Sequence, residues 1–148
     1  MFILTIVFLI IDIISKLVVS KLMDVYDSIV IVKNFFYITY VRNTGAAWSI
    51  FEGEVLGIVI ISLMIISFII YYISKQKIKT RLEKIGYSLI LGGAFGNLLD
   101  RIIYGYVVDF LDFNIFGYDY PVFNLADSFI FIGVILFIIH TWRCNDGN

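Results

Sequence analysis

The sequence has few of the residues from which many binding and catalytic sites are built. Its 148 residues include one cysteine, one histidine and one proline, and only 16% of them are charged. The lone Cys144 excludes an internal disulfide and any metal cluster built on cysteines. The formal net charge of −1 gives no electrostatic reason to expect a nucleic-acid partner.

Apolar residues dominate what is present. Hydrophobic residues make up 61% of the chain and its mean hydropathy is +0.97, whereas soluble domains average roughly 45–50% apolar and about 25% charged residues. We therefore interpret the chain as a membrane protein, with one integral membrane domain over residues 1–148. Its first residues lack a basic region and a small-residue cleavage site, so we expect a retained first span rather than a removable signal peptide.

Four apolar stretches are long enough to cross a bilayer, which takes about 20 helical residues at ~1.5 Å each. They cover residues 2–19, 55–73, 85–103 and 125–142. Polar residues interrupt them, as is typical of helices that pack together around polar groups. The sequence therefore predicts a mainly α membrane protein built on a bundle of four transmembrane helices.

Positive charges predict the orientation of this bundle. The link between the second and third stretches is rich in basic residues, and by the positive-inside rule it is cytoplasmic. Both termini are then expected in the cytoplasm, and the first and third loops on the extracytoplasmic side. The basic residues of this link are Lys75, Lys77, Lys79, Arg81 and Lys84.

The two outer loops have the composition of β-strands. Residues 28–42 are rich in β-branched and aromatic side chains, with a turn predicted at Lys33-Asn34. Residues 104–120 are similar and are punctuated by Gly105 and Gly117. We expect the two loops to form a small β-sheet that rests on the outer leaflet, where Tyr and Phe suit the headgroup region.

Two aspartates are the main candidates for chemistry. Asp127 stands at the head of the fourth apolar stretch, and Asp109 lies in a short apolar segment just upstream. A carboxylate inside or at the edge of a membrane is costly and marks a candidate functional site. Two that meet suggest acid/base chemistry on a shared proton, and the sequence leaves open which of them holds it. Asn124 and Asp127 also have the spacing of a helix capping box, which is compatible with such a function.

Further polar residues lie inside the apolar stretches at helical spacing. Asp12 and Lys16 are four apart and share one helix face, which we expect to point to the bundle interior. They form either a simple ion pair, or a pair in which Lys16 tethers a loop or Asp12 orders the site. Asn97 and Arg101 are also four apart, and Arg101 either anchors to phosphate headgroups or braces a carboxylate.

Residues 43–47, Asn-Thr-Gly-Ala-Ala, permit a close backbone approach and fit an ordinary turn as well as a functional loop. Ser49 is not expected to be a nucleophile, because His140 is predicted at the opposite, cytoplasmic side of the membrane. Asp100 is expected to be solvated.

In this order, the motifs resemble those of the bacterial lipoprotein signal peptidases, or signal peptidase II, over nearly the whole chain. Ile13 is a departure, since the family often has Gln there. The matching motifs are Asp12-x-x-x-Lys16, Asn43-Thr44-Gly45-Ala46-Ala47, Gly96-Asn97-Leu98-Leu99-Asp100-Arg101, Val108-Asp109-Phe110 and Phe123-Asn124-Leu125-Ala126-Asp127.

The resemblance implies an intramembrane aspartic endopeptidase of the bacterial plasma membrane, with its active site toward the extracytoplasmic face. Its substrates would be prolipoproteins whose lipobox cysteine carries diacylglycerol, cut just before that cysteine. It implies no metal and no organic cofactor, and we expect a monomer surrounded by membrane lipid. By position, Asp109 and Asp127 would be the catalytic pair. The positions that match site-supporting or substrate-binding residues are Asp12, Lys16, Asn43, Gly45, Asn97, Arg101, Asn124 and Ala126.

Two other functions would use the same residues. A small transporter or channel could use the buried charges as a polar path, although the sequence has no inverted repeats or paired broken helices. A hydrolase could use the aspartates to hold an oxygen-liking ion such as Mg²⁺. Cleavage that persists in excess chelator would exclude the second function.

Overall fold

The computed structural model describes residues 1–45, 52–75, 78 and 80–145. Within these residues four helices coincide with the four predicted apolar stretches, each extended by a few residues at one or both ends. They are α1 (Phe2–Leu22), α2 (Val55–Lys75), α3 (Arg81–Tyr104) and α4 (Leu125–Asn145). A mainly helical protein was expected from the hydropathy pattern, and that part of the prediction is confirmed.

Helix α3 begins earlier than its apolar stretch, because its first turn is capped by polar side chains. The Thr80 hydroxyl oxygen accepts a hydrogen bond from the Glu83 N–H at 3.2 Å, and the Glu83 carboxylate accepts one from the Thr80 N–H at 3.0 Å. This reciprocal capping box satisfies two N–H groups that an uncapped helix would leave without partners. The Thr-x-x-Glu spacing indicates this earlier start of α3, but hydropathy alone does not take it into account.

Among the described residues, three helices are long and apolar enough to cross a membrane by themselves: α1, α2 and the Leu125–Arg143 part of α4. Only 22%, 17% and 11% of their most apolar windows are buried inside the protein, so most of these side chains face outward. Outward apolar faces fit a lipid environment. Helix α3 is not in this set, and a fourth transmembrane span stays a prediction.

Helix α3 contacts the other three helices and is the most enclosed helix of the described structure. Its small residues make this possible. Gly92 lies against Phe8 of α1, and Gly93 lies against the backbone carbonyl of Ala126 in α4. These two glycines thus allow α1 and α4 to come close to α3. An enclosed helix can carry polar side chains that a lipid-facing helix could not, and α3 carries Asn97 and its neighbours toward the site.

The outer loops form the predicted small sheet. Its four antiparallel strands pair in sequence order, and Gly105, at φ 76°, ends α3 in the left-handed conformation that turns the chain into the third strand. The strands are β1 (Ser28–Val32), β2 (Phe36–Asn43), β3 (Val107–Ile115) and β4 (Tyr118–Asp119).

The sheet packs on the end of α1 through one small core. Val19 of α1 contacts a cluster that includes Tyr40 of β2 and Val108 of β3. In the pairing of β2 with β3, Asn43 lies opposite Val107, which brings the end of β2 close to Asp109. The core and the register together fix where this aspartate lies relative to the helices.

The α3–α4 contact generates a first prediction. We expect Gly93→Ala to lower the free energy of unfolding by roughly 1–3 kcal/mol, because the new methyl group would overlap the Ala126 backbone and force the two helices apart. Gly57→Ala in α2 is the matched control, since its methyl group would meet nothing within 4 Å. Thermal unfolding of both purified variants in detergent measures the difference. Equal unfolding temperatures for the two would contradict this packing.

Candidate active site

The site begins at the N-terminus of α4, where Asn124 and Asp127 cap the helix. The Asp127 N–H donates to Asn124 Oδ1 at 3.0 Å, and the Asn124 N–H donates to Asp127 Oδ2 at 3.2 Å. The predicted capping box is therefore confirmed. It orients the Asp127 carboxylate and places it at a helix end that favours negative charge.

Asp109 lies on β3 and only 2% of it is exposed. Its two carboxylate oxygens accept hydrogen bonds from Asn43 Nδ2 at 2.9 Å and from Asn124 Nδ2 at 2.7 Å. Burial, followed by the nearby charge of Asp127, raises the pKa of the Asp109 carboxyl from its ordinary 3.8 to about 7. The two amide hydrogen bonds favour the ionised form but do not outweigh burial and like charge.

Asn124 connects the two aspartates. It is fully buried, and it donates its backbone N–H to Asp127 and its side-chain amide to Asp109. Asn97 of α3 completes the bridge, because its Nδ2 donates to Asp127 Oδ1 at 2.7 Å while its Oδ1 accepts from Asn124 Nδ2 at 3.1 Å. The two carboxylates that the sequence places on a strand and on a helix thus share one hydrogen-bond network.

Lys16 joins this network from α1. Its ammonium lies 2.7 Å from Asp12 Oδ2 and donates to Asn97 Oδ1 at 2.8 Å. The other oxygen of Asp12 accepts the Ala126 N–H of α4 at 2.9 Å. Asp12 and Lys16 are therefore both an ion pair and an ordering element, so the two alternatives open in the sequence hold together. Their common face points to the bundle interior, as predicted.

Asp100 corrects the sequence analysis. It was expected to be solvated, but only 6% of it is exposed and its Oδ2 lies 3.0 Å from Lys16 Nζ. Asp100 is three residues after Asn97, a spacing that brings side chains together on one helix face. This spacing from Asn97 was the signal that could have identified Asp100.

Arg101 holds the loop that follows β2. Its terminal nitrogens donate to the backbone carbonyl oxygens of Gly45, at 2.6 Å, and of Asn97, at 3.3 Å. In the part of the chain that the structure describes, its hydrogen bonds thus go to carbonyl oxygens and not to a carboxylate. Gly45 is itself buried, and its N–H donates to Asn43 Oδ1 at 2.9 Å. Residues 46–51, including Ser49 and the two alanines of the predicted motif, lie outside the described residues.

The two aspartates open on a common cleft of about 1260 Å³. Asn43, Asn97 and Arg101 form its polar end together with the aspartates. The rest of its wall is mostly apolar and runs from the sheet to the outer side of α4. The apolar residues that line this extension include Phe35, Phe113, Ile115, Val122, Phe123, Ile130, Phe131 and Val134.

His140 lies at the far end of the bundle from this cleft, near the start of α3. Its ring nitrogens lie 3.1 Å from Glu83 Oε1 and 3.4 Å from the Thr80 hydroxyl. The expected separation of His140 from Ser49 stays a prediction, because Ser49 lies outside the described residues. Among the described residues, no group of three or more His, Cys, Asp or Glu side chains is arranged to hold a metal ion.

Comparison with known proteins identifies the fold and then the family. A bacterial membrane enzyme solved by the in meso method at 2.3 Å resolution has a TM-score of 0.91 and 37% identity, over 99% of this chain and 90% of that one. A second, solved by the same method at 1.9 Å, has a TM-score of 0.85 and 39% identity, over 95% and 90%. The fold is thus that of a bacterial membrane enzyme.

The sequence comparisons are more specific. Residues 4–143 match the family model described as signal peptidase (SPase) II. The lipoprotein signal peptidase of Staphylococcus carnosus (strain TM300) is 42% identical over 135 residues, which cover 91% of this chain and 85% of the relative. The chain belongs to the signal peptidase II family and is a peptidase, which confirms the resemblance found in its motifs.

The bridging amide generates a prediction about stability. We expect Asn124→Ala to cost roughly 1–3 kcal/mol of unfolding free energy, because it removes the cap of α4 and leaves a buried carboxylate with fewer donors. Asn114→Ala is the control, since Asn114 also donates to an aspartate, Asp119, but at an exposed turn. Unfolding in detergent compares the two variants. A smaller loss for Asn124→Ala than for Asn114→Ala would contradict the bridge.

Proposed function

We propose that this chain removes the signal peptide from diacylglyceryl-modified prolipoproteins, cutting before the lipidated cysteine, with a water activated between Asp109 and Asp127. Membership of the signal peptidase II family and the similarity to a lipoprotein signal peptidase support the substrate class. The single observation that carries the mechanism is that Asn124 hydrogen-bonds both carboxylates, so that the two can act on one water.

The environments of the two aspartates support different roles for them. Asp109 is the more buried and has its pKa raised to about 7, so it holds the shared proton near neutral pH. Asp127 carries the charge, supported by the N-terminus of α4 and by the Asn97 amide. Asp127 then takes a proton from the water as it attacks the scissile carbonyl. Protonated Asp109 donates a hydrogen bond to the carbonyl oxygen as negative charge develops there. When the tetrahedral intermediate collapses and the C–N bond breaks, Asp127 gives the proton that it took from the water to the leaving amine and is ionised again.

The remaining polar residues hold this geometry. Asn43 keeps Asp109 oriented from β2, while Asp12 and Lys16 keep the start of α4 and the Asn97 amide in place. Arg101 and Gly45 fix the loop after β2 at the edge of the cleft. No step of this chemistry requires a metal or an organic cofactor, because two carboxylates suffice to polarise the water.

The shape of the cleft supports a lipid-modified substrate. Its polar end contains the aspartates, and its apolar extension continues between the sheet and the outer side of α4. The peptide would cross the aspartates while the acyl chains of the cysteine lie along this extension, in contact with membrane lipid. Because the acyl chains are already in lipid, van der Waals packing along this extension, rather than removal from water, would favour lipidated over unmodified substrate.

The topology follows from the same arrangement. In the proposal α3 crosses the bilayer with α1, α2 and α4, shielded by them, so that the single domain has four spans. The basic link that includes Lys75 and Arg81 is cytoplasmic, and both termini lie on that side. The sheet and the aspartates then lie at the extracytoplasmic edge of the plasma membrane. Because the aspartate network is built within one chain, the proposal is that a monomer is active.

The aspartate pair can be tested directly. We expect Asp109→Asn and Asp127→Asn each to reduce cleavage of a lipid-modified prolipoprotein by about 10²–10⁴-fold, since each removes a group that moves a proton or stabilises charge. Asp119→Asn, at the exposed edge of the sheet, is the matched control and should cleave normally. The assay uses purified protein in detergent, with the unlipidated precursor as a parallel substrate. Full activity in either active-site variant would end the proposed mechanism.

The raised pKa of Asp109 predicts a basic limit to activity. Above about pH 7 Asp109 loses the proton that it needs as hydrogen-bond donor, so kcat/KM should fall, approaching about tenfold per pH unit. A profile of kcat/KM from about pH 5 to about pH 9 measures this limit. An increase in kcat/KM that continued to the basic end of the profile would show that catalysis does not need the protonated form of Asp109.

A further inference from the structure

Asp100 is a buried carboxylate that the proposed mechanism does not use. It lines a separate cleft of about 140 Å³, together with Lys16 and Tyr106, and not the cleft on which the two catalytic aspartates open. Direct contact with substrate in the main cleft is therefore not its role. A buried carboxylate is costly, and Asp12 already supplies a partner for the Lys16 ammonium. The presence of Asp100 as a second carboxylate at the Lys16 ammonium therefore needs a further explanation.

One oxygen of Asp100 connects three elements. Asp100 Oδ2, on α3, lies 3.0 Å from Lys16 Nζ of α1 and accepts the Val108 N–H of β3 at 3.4 Å. Val108 directly precedes Asp109. The sheet that carries one aspartate is thereby tied by its backbone to the helices that position the other.

The Lys16 ammonium connects Asp100, through Asn97, to the other aspartate of the pair, Asp127. An ammonium has three N–H donors, and those of Lys16 have three acceptors within 3.0 Å: Asp12, Asp100 and Asn97 Oδ1. With its oxygen turned to Lys16, the Asn97 amide must present its nitrogen to Asp127, which it does at 2.7 Å. If the acceptor at Asp100 were removed, Lys16 could rotate or shift, and the Asn97 amide would lose the stronger, charged one of the two donors, Lys16 and Asn124, that fix its orientation.

We propose that Asp100 is a positioning residue of the peptidase, which sets the spacing of the aspartate pair by binding the Lys16 ammonium and the Val108 backbone with one carboxylate. Through Lys16 and Asn97 it orients Asp127, and through Val108 it fixes the backbone next to Asp109. The inference rests on the proposed function, because its effect is exerted on that aspartate pair.

The test compares two substitutions of different severity. Asp100→Asn keeps one oxygen acceptor but removes the charge, and Asp100→Leu keeps the branching at Cγ, with a larger volume, but removes both the charge and the acceptors. We expect kcat to fall roughly 10-fold in Asp100→Asn and further in Asp100→Leu, with KM for the lipid-modified prolipoprotein within about twofold of wild type. Asp112→Asn is the matched control: Asp112 accepts a hydrogen bond from Thr39 within the sheet, at 2.5 Å, and should give wild-type kcat.

Rates are expressed per folded molecule, from the monodisperse fraction and its unfolding temperature, so that a loss of fold is not counted as a loss of positioning. If Asp100→Leu does not fold, Asp100→Asn decides the matter. Wild-type kcat per folded molecule in Asp100→Asn would overturn the proposal, as would a raised KM with unchanged kcat. An inactive wild-type enzyme on this substrate would instead contradict the proposed function.

Discussion

Two acidic side chains held close together repel each other, and the Asn124 amide is what makes their proximity tolerable. Its side-chain nitrogen donates to Asp109, and its backbone nitrogen donates to Asp127. An interior with little water offers few other donors, and an unsatisfied buried carboxylate would be far more costly. Asn124 can do this because it begins α4, where its backbone N–H has no partner within the helix.

The site is divided between a sheet and a helical bundle, and the hydrogen bonds of Asn124 with Asp109 and of Val108 with Asp100 connect the two. Asp109 and Asn43 belong to the sheet, while Asp127 and Asn97 belong to the helices. Packing of Val19 against the sheet holds the sheet and the bundle together but does not fix their relative orientation. The hydrogen bonds fix that orientation, since they are made only at particular distances and angles.

Helix α3 resolves a conflict between membrane solvation and chemistry. A lipid-facing helix must be apolar, whereas the candidate site is built from charged and amide groups. The three helices around α3 provide the apolar exterior, so that α3 can carry Asn97, Asp100 and Arg101. Gly96 shows how close the fit is, because a side chain there would overlap the Asp12 carboxylate. Small residues on α3 are thus required by the polar network as well as by helix packing.

Much of this could be predicted from the chain. Hydropathy located the four helices, strand composition in two loops indicated the sheet, and spacing identified the cap formed by Asn124 and Asp127. Spacing alone could not identify the partners of Lys16, because the pattern of one helix says nothing about which side chains of another helix reach it. The same limit explains Asp100, which lies next to Arg101 in sequence and was assigned to solvent from that local position.

The sequence by itself determined the membrane class, the positions of the helices and the two aspartates, because these depend on composition and on local periodicity. Only the tertiary structure decided which aspartate is the more deeply buried, which carbonyl oxygens Arg101 binds and that Asp100 faces Lys16. Those features depend on contacts between residues far apart in the chain. Their energies come from burial and from hydrogen-bond geometry, which exist only once the sheet has packed on the bundle.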